Sequence, residues 1–265
     1  MDDNDPGSRT RRELKAVTLD LWQTLISEAD GTSQSATRRE MRVRYVDEAL
    51  VRRGFFYEKG RVENAVTAIS AMLNADHSLG LDMTFEARIA QFLGLLDEHL
   101  VEALGDEGLT EIGEVIDRTF IEAPPVVLER VHETLDKLKS MDLKLGLISN
   151  TGFTSPEMYN RWFTDVGLLH YFDHMAFSNG VAAAKPSAHI FKPVLEALGV
   201  EAEHTLHVGD NLHTDIAGAA SLGMRTAWIS GVDTSEPVVV PDYTVSHMAE
   251  VAEIAGRWQA AEPAV

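Results

Sequence analysis

Apolar residues recur along the chain in two textures. From about residue 28 to 121 they return at helical spacing, with Val62, Val66, Ile69 and Leu73 in one stripe and Phe85, Ile89, Phe92 and Leu96 in another. Gly54 and Gly80 are placed to stop such helices. No strand-like run interrupts this stretch, so it predicts a small helical bundle. Past "APP" at 123–125 the texture changes to alternating helix and strand. Leu128, Val131, Leu135 and Leu138 predict a helix, "LKLGLIS" (143–149) a buried strand, and Met158 and Trp162 a second helix before a short strand around "HMAF". "AHIFKPVLEALG", "HTLHVG", "TDIAGAASLG" and "MRTAWIS" continue as helix, strand, helix and strand. This rhythm predicts an α/β fold with a doubly wound parallel sheet, Rossmann-like in class, and residues 14–19 read as one more strand of it. The economical arrangement is a core of 13–27 and 122–258, with an all-helical cap, 28–121, inserted after the first strand. The ends, 1–12 and 259–265, are polar or rich in small residues and are expected to be flexible.

Composition narrows the partners more than the fold. Apolar residues make up 45% of the chain, ample for a sizeable core. Against 42 acidic residues stand 23 basic ones, a formal charge of −19, which argues against nucleic acid as a partner. A small anionic metabolite would be repelled at long range, so its site must reverse the field locally with a metal, a lysine or helix N-termini. The absence of cysteine excludes disulfides and thiolate chemistry. With no apolar leader segment and no apolar run near the roughly 18 residues of a membrane span, the expectation is a cytoplasmic protein without a membrane partner. Oligomeric state is not legible.

In open parallel sheets, ligands bind beyond the carboxyl ends of the strands. Asp20 stands at the end of the first predicted strand and Ser149–Asn150 at the end of the strand over 143–148. Asp210 and Asp215 lie in "GDNLHTD" after the strand over 204–208, and Lys185 opens the helix before it. Three carboxylates, a hydroxyl and a lysine suit Mg²⁺ and a phosphate, because a hard cation takes oxygen ligands. Plainer readings stay open: Ser149–Asn150 as a turn, Asp215 as a helix N-cap, Lys185 as a surface residue. An unpaired, buried Asp20 would cost several kcal/mol, which argues against a purely structural role.

The stretches "LDLWQTL", "LISNTG", "KPSAHIF" and "HVGDNLHTD", in that order and spacing, resemble the four motifs of the haloacid dehalogenase-like hydrolases, in the branch with a helical cap after the first strand. The resemblance implies that Asp20 is a nucleophile forming a covalent aspartyl intermediate. It implies Mg²⁺ held by Asp20, the backbone carbonyl of Trp22 and Asp210, with Asp215 binding the metal or orienting its water. Ser149 would hold the transferring phosphoryl group and Lys185 would neutralise charge, with Thr24 and Asn150 beside them at the substrate.

One position departs from the pattern. Where the family's phosphatases carry a second aspartate, which protonates the leaving alcohol and activates water, this chain has Trp22. Such acid–base help is worth roughly 10²–10⁴-fold, and an indole N–H cannot supply it. Four readings follow. The first is a Mg²⁺-dependent phosphohydrolase that takes a good leaving group or borrows a proton carrier from His77, Asp97, Glu98 or His99 of the cap. The second is a 2-haloacid dehalogenase, whose halide leaves without a proton but which needs no Mg²⁺. The third is a phosphonatase, which needs a cap lysine, here only Lys59. The fourth is an impaired protein that uses the fold for binding. The intact acidic loop favours the first. Trp22 is also expected to pack near the cap interface. Arg38, Arg39, Arg42, Arg44, Arg52 and Arg53 cluster in the cap; one or two suit recognition of a substrate anion. The rest suit a solvated face balanced by Glu40, Asp47 and Glu48.

Overall fold

The computed structural model describes residues 13–28 and 34–260. The chain opens with strand β1 (Ala16–Leu19) and a short β2 (Ile26–Ser27), followed by four helices, α1 (Gln34–Arg52), α2 (Arg61–Ser78), α3 (Phe85–Leu96) and α4 (Leu100–Glu122). Gly54 and Gly80, both at positive φ, follow the ends of α1 and α2 as expected. The stripes of α2 and α3 meet in one cluster, with Val62, Val66, Ile69 and Leu73 against Ile89, Phe92 and Leu96. Gly105, at φ 60° and ψ −175°, kinks α4 near its start. Next come β3 (Val126–Val127), antiparallel to β2, then α5 (Val131–Ser140), β4 (Lys144–Ser149), α6 (Pro156–Asp165), β5 (His174–Phe177) and α7 (Ser178–Val181). The chain continues through α8 (Ala188–Leu198), β6 (Thr205–Gly209), α9 (Ala217–Ser221), β7 (Arg225–Ile229), β8 (Tyr243–Val245) and α10 (Ala249–Ala260).

Six strands form one parallel sheet in the order β5-β4-β1-β6-β7-β8. β1 is central because the chain first builds outward through β4 and β5, then crosses to its other edge with β6. That reversal opens a crevice at the carboxyl ends of β1, β4 and β6. The strands read as near-continuous apolar runs because both faces are covered. On one side Leu135 of α5, Phe163 of α6 and Ile254 of α10 join the strand residues Leu19 and Leu147. On the other, Ile190 and Val194 of α8 and Ala219 of α9 pack against Ala16 and Ile148. Gly146 in β4 permits this approach, since a Cβ there would lie 2.8 Å from Val194 Cγ1.

Several boundaries differ from the sequence reading. Leu128 precedes α5 rather than joining it, yet still packs on the core. The expected helix over 214–223 is a π-type turn, Leu212–Ile216, followed by the short α9. β8 and α10 were not foreseen: "YTV" is too short for a periodicity signal, and α10 extends through residues 259 and 260, assigned above to a flexible tail. The expectations for 1–12 and 261–265 fall outside the described residues. No described helix is long and apolar enough to cross a membrane.

The helical block is tied to the sheet region by a buried carboxylate. Asp117 of α4 accepts the backbone N–H of Ser155 at 2.7 Å and also its hydroxyl, while Ser155 caps α6 by accepting from the N–H of Met158 at 3.1 Å. Burial pushes the Asp117 carboxyl up to about 6, against the pull of Ser155's hydrogen bonds. A raised carboxyl retains its proton in the folded state after the unfolded chain has lost it, so stability falls as pH rises from about 4 through 6. Asp117→Asn should remove that slope. Its melting temperature should gain on the wild type between pH 4 and pH 7.5, by the equivalent of on the order of 2 kcal/mol; parallel pH profiles would refute it.

Candidate active site

Strand ends deliver the site. Asp20 follows β1 directly, its backbone N–H donating to the Val208 carbonyl at 2.9 Å, so it continues the ladder with β6. Ser149 ends β4 and is fully buried, and Asn150 follows it. Asn150 spends its amide on the segment before α8: Oδ1 accepts from the Lys185 N–H at 2.7 Å and Nδ2 donates to the Lys185 carbonyl at 3.0 Å. A side chain that grips one residue at both backbone groups fixes where that residue's own side chain can reach. Lys185 is 1% exposed and so is not a surface lysine. Its ammonium donates to Asp20 Oδ1 and lies 2.6 Å from Asp215 Oδ1.

The network continues below the sheet's end. His207 of β6, completely buried, places Nε2 3.3 Å from Asp215 Oδ1 and Nδ1 2.9 Å from the Thr18 hydroxyl. Asp215 needs a donor at Nε2, so Nδ1 is the acceptor of the Thr18 O–H; burial pushes the imidazole down and keeps it neutral. The other Asp215 oxygen, Oδ2, accepts from the Asn211 N–H at 3.1 Å. Asp215 is not a helix N-cap: that role belongs to Asn211, whose Oδ1 accepts from the N–H groups of His213 and Thr214. Gly209 makes room for the arrangement, because a Cβ there would fall 2.3 Å from Asp215 Cγ. The sequence reading missed His207 because a histidine inside an apolar strand has no pattern to mark it.

Ligating oxygens of Asp20, Asp210 and Asp215 lie within 4.8 Å of one another. The charges around them are unevenly matched. Burial pushes the Asp20 carboxyl up, with Lys185 opposing and Asp215 adding to the rise. Burial also acts on Asp215, but Lys185 and His207 outweigh it and hold that carboxyl down. Half-buried Asp210 is raised to about 7 by burial and by the Asp20 and Asp215 charges. Its backbone carbonyl accepts from Trp228 Nε1 at 2.8 Å, which sets the loop without occupying the carboxylate. One lysine among three clustered carboxylates leaves a deficit of positive charge, and an all-oxygen donor set of this kind fits a hard divalent cation.

The remaining predicted residues divide clearly. The Thr24 hydroxyl is buried without a hydrogen-bond partner. Trp22 is half-buried: Nε1 donates to the Tyr159 hydroxyl at 3.3 Å, and the Arg38 guanidinium of α1 sits 5.5 Å from the ring centroid. Trp22 therefore does meet the first helix of the inserted block. Burial pushes the Tyr159 phenol up, so this hydroxyl keeps its proton at neutral pH. The cap residues considered as proton carriers are engaged elsewhere. His77 pairs with Asp82 at 2.9 Å, Asp97 accepts from Tyr57 at 3.3 Å, and His99 and Glu98 form an exposed pair. Lys59 is exposed. Arg39 pairs with Glu63, Arg44 with Glu48, and Arg52 and Arg53 with Glu111, so only Glu48 of the three expected balancing acids appears in these pairs.

A feature not read from the sequence joins the helical block to the site loops. Between α2 and α3, the Gly80 carbonyl accepts from the Ala184 N–H at 3.2 Å, and Leu81 bridges Ala183. Fully buried Arg88 of α3 pairs with Asp82 and donates to the Thr151 carbonyl at 3.0 Å. The loops after Ser149 and before Lys185 are thus held from the same side.

A model of the family described as "Hydrolase: haloacid dehalogenase-like hydrolase" matches residues 14–223. The chain is 31% identical over 118 residues to phosphoserine phosphatase of Thermus thermophilus, covering 44% of this chain and 46% of that enzyme. It is 34% identical over 143 residues to the pyrimidine 5′-nucleotidase YjjG of Escherichia coli, covering 52% of this chain and 62% of that enzyme. The chain thus spans about half the length of the curated relatives it matches. Among solved structures, a 2-haloacid dehalogenase from Pseudomonas syringae pv. Tomato superimposes with a TM-score of 0.68 at 23% identity, over 92% of this chain and 99% of that one, a likeness of fold.

Removing the lysine should expose what it neutralises. In metal-free buffer, Lys185→Met leaves buried Asp20 without its counter-charge and Asp215 with only neutral donors, and should cost about 3–5 kcal/mol at pH 7.5. The loss should shrink toward pH 4 as the carboxyls take up protons, and denaturant melts at the two pH values measure it. A deficit independent of pH would mean that lost packing, not charge, is responsible. Gly209→Ala, which forces Asp215 aside, should cost about 1–3 kcal/mol in the same assay.

Proposed function

The chain belongs to the haloacid dehalogenase-like hydrolases, and from that premise we propose that it is a Mg²⁺-dependent phosphohydrolase acting on a small phosphorylated metabolite through Asp20. The observation that carries this reading is the Lys185 ammonium shared by Asp20 and Asp215, with the Asp210 carboxylate beside them in one all-oxygen cluster. The phosphatase relatives support the choice of phosphate over halide. Residues 13–27 and 122–258 serve as the core, and the helices within 28–121 as a cap over its crevice.

Asp20 and Asp210 would hold the cation together with the Trp22 backbone carbonyl, while Asp215, both of whose oxygens are engaged, orients its surroundings. A hard cation bound there would offset phosphate charge and draw both raised carboxyls back to their ionised forms. Lys185 holds Asp20 Oδ1 and so fixes the carboxylate's orientation. An Asp20 oxygen attacks phosphorus, the bond from phosphorus to the leaving oxygen breaks, and that oxygen departs with the electron pair. Ser149 steadies the transferring group, with Thr24, whose hydroxyl has no partner within the protein, while Asn150 acts through its grip on Lys185. Water then attacks the phosphorus of the aspartyl phosphate, the bond to Asp20 breaks, and inorganic phosphate leaves. Overall one water is consumed and the leaving group gains one proton.

That proton comes from solvent. The Trp22 N–H and the Tyr159 O–H are donors that do not ionise at neutral pH, so substrates whose leaving oxygen is weakly basic react best. Phosphate release from p-nitrophenyl phosphate should depend on Mg²⁺, stop with EDTA and vanish in Asp20→Asn. Turnover equal to that of the Asp20→Asn blank would overturn the reading, and halide release from 2-haloacids without metal would replace it with the dehalogenase alternative. Trp22→Asp, which supplies a carboxyl at the position of the missing acid, should raise kcat for alkyl phosphates by about 10–100-fold relative to p-nitrophenyl phosphate. No change in that ratio would place the proton source elsewhere.

A further inference from the structure

A fully buried ion pair of the helical block is joined to the backbone of the loops that carry Ser149 and Lys185. Asp82, ahead of α3, and Arg88, within it, lie 2.5 Å apart with both side chains closed to solvent. Burial would raise the Asp82 carboxyl, but hydrogen bonds from His77, Ser178 and Arg88, with the Arg88 charge, outweigh it and hold the group down at about 2. Such a pair adds little net stability, because desolvating both charges offsets most of their attraction. What the pair does is hold loop backbone. The Arg88 guanidinium donates to the Thr151 carbonyl at 3.0 Å and to the Gly152 carbonyl, directly after Ser149–Asn150. Ser178, bonded to Asp82, accepts the Thr151 N–H at 2.8 Å and lies 3.1 Å from its hydroxyl. One network therefore grips Thr151 at its N–H, its carbonyl and its side chain.

The segment leading to Asp82 reaches the second loop. The Gly80 carbonyl accepts from the Ala184 N–H, and Leu81 bridges Ala183, directly before Lys185. Gly80, at φ 73°, lets the backbones approach so closely that a Cβ would fall 2.9 Å from Ser187 Cβ. Asn150 then ties the first loop to the backbone of Lys185. Ser149 and Lys185 thus stand on two loops linked to each other and both anchored to the helical block. Asp20 and Asp210 are placed by other means, through the Val208 carbonyl of β6 and the Trp228 indole.

We propose that Asp82 and Arg88, acting through Ser178 and the backbone of Thr151, are positioning residues for the reaction. They set the loops that present the Ser149 hydroxyl and the Lys185 ammonium to the transferring phosphoryl group, and they leave the metal ligands alone. The helical block is then part of the scaffold of the catalytic centre as well as its cover. The inference rests on the phosphohydrolase reading and adds to it the residues that hold two of its groups in register.

Arg88→Lys and Ser178→Ala in the whole protein with Mg²⁺ test it. Arg88→Lys keeps a charge opposite Asp82 but replaces the guanidinium fork with one ammonium. For p-nitrophenyl phosphate, kcat and kcat/KM should fall together by about 10–100-fold, as a misplacement near 1 Å allows. KM and the Mg²⁺ concentration giving half-maximal rate should stay within about twofold, since substrate and metal binding are untouched. Amide hydrogen exchange supplies a readout that needs no turnover. The Lys185 N–H, bonded to Asn150 Oδ1, should exchange at least about tenfold faster in both variants while the amides of β1 and β6 keep their rates. Ile69→Val, a lost methyl in the same block, should lower the melting temperature and leave kcat alone. If Arg88→Lys fails to fold, Ser178→Ala decides. Wild-type kcat in the variants, or exchange quickened in β1 and β6 as much as at Lys185, would overturn the proposal and leave the phosphohydrolase reading standing. Absence of Mg²⁺-dependent turnover in the wild type would remove that reading, and exchange at Lys185 would then decide alone whether the pair orders the two loops.

Discussion

The ammonium of Lys185 between Asp20 and Asp215 is the interaction on which the rest of this structure depends. All three side chains are nearly inaccessible to solvent, and charges so placed are tolerated only when paired and hydrogen-bonded. The surroundings supply that pairing in layers. Asn150 clamps the backbone of Lys185, His207 and the Asn211 N–H hold Asp215, and Thr18 orients His207. These groups come from four separate stretches of chain. The parallel sheet brings them together, because its strand order sets β1 between β4 and β6.

Trp22 bears on this network in two ways. It brings no carboxyl, and so no further negative charge, to an already acid-rich cluster. It also ties the loop after β1 to α6 through Tyr159 and to α1 through Arg38. In the proposed mechanism this side chain is a packing strut rather than a proton carrier, and the reaction's demands fall on the leaving group instead.

The acidic surface and a phosphate substrate are compatible because the field is reversed only locally. Lys185 stands at the strand ends and Arg38 beside Trp22, whereas Arg39, Arg44, Arg52 and Arg53 are spent on neighbouring glutamates at the surface. The loop between α2 and α3 and the buried Arg88 hold the segments around Ser149 and Lys185 from the helical side. Position in the fold, rather than the number of charges, separates a buried arginine from a solvated one.

Sequence by itself determined the α/β rhythm, the helical block after β1, and the strand-end residues Asp20, Ser149, Asp210 and Asp215. Apolar periodicity and strand ends are local signals, and the physics that writes them acts over a few residues. The two-residue strands, β8 and the π-type turn over Leu212–Ile216 were illegible because each is too short for a periodic pattern to repeat. His207 was illegible for a different reason: its neutral, buried state exists only because Thr18 and Asp215 meet it from elsewhere in the chain. Likewise, the six arginines between 38 and 53 look alike in sequence. Tertiary structure decided that Arg38 covers Trp22, that Arg52 and Arg53 pair with Glu111, and that Arg42 keeps a buried donor unmet. Burial and partnership across long sequence separations set these roles, and no local pattern encodes them.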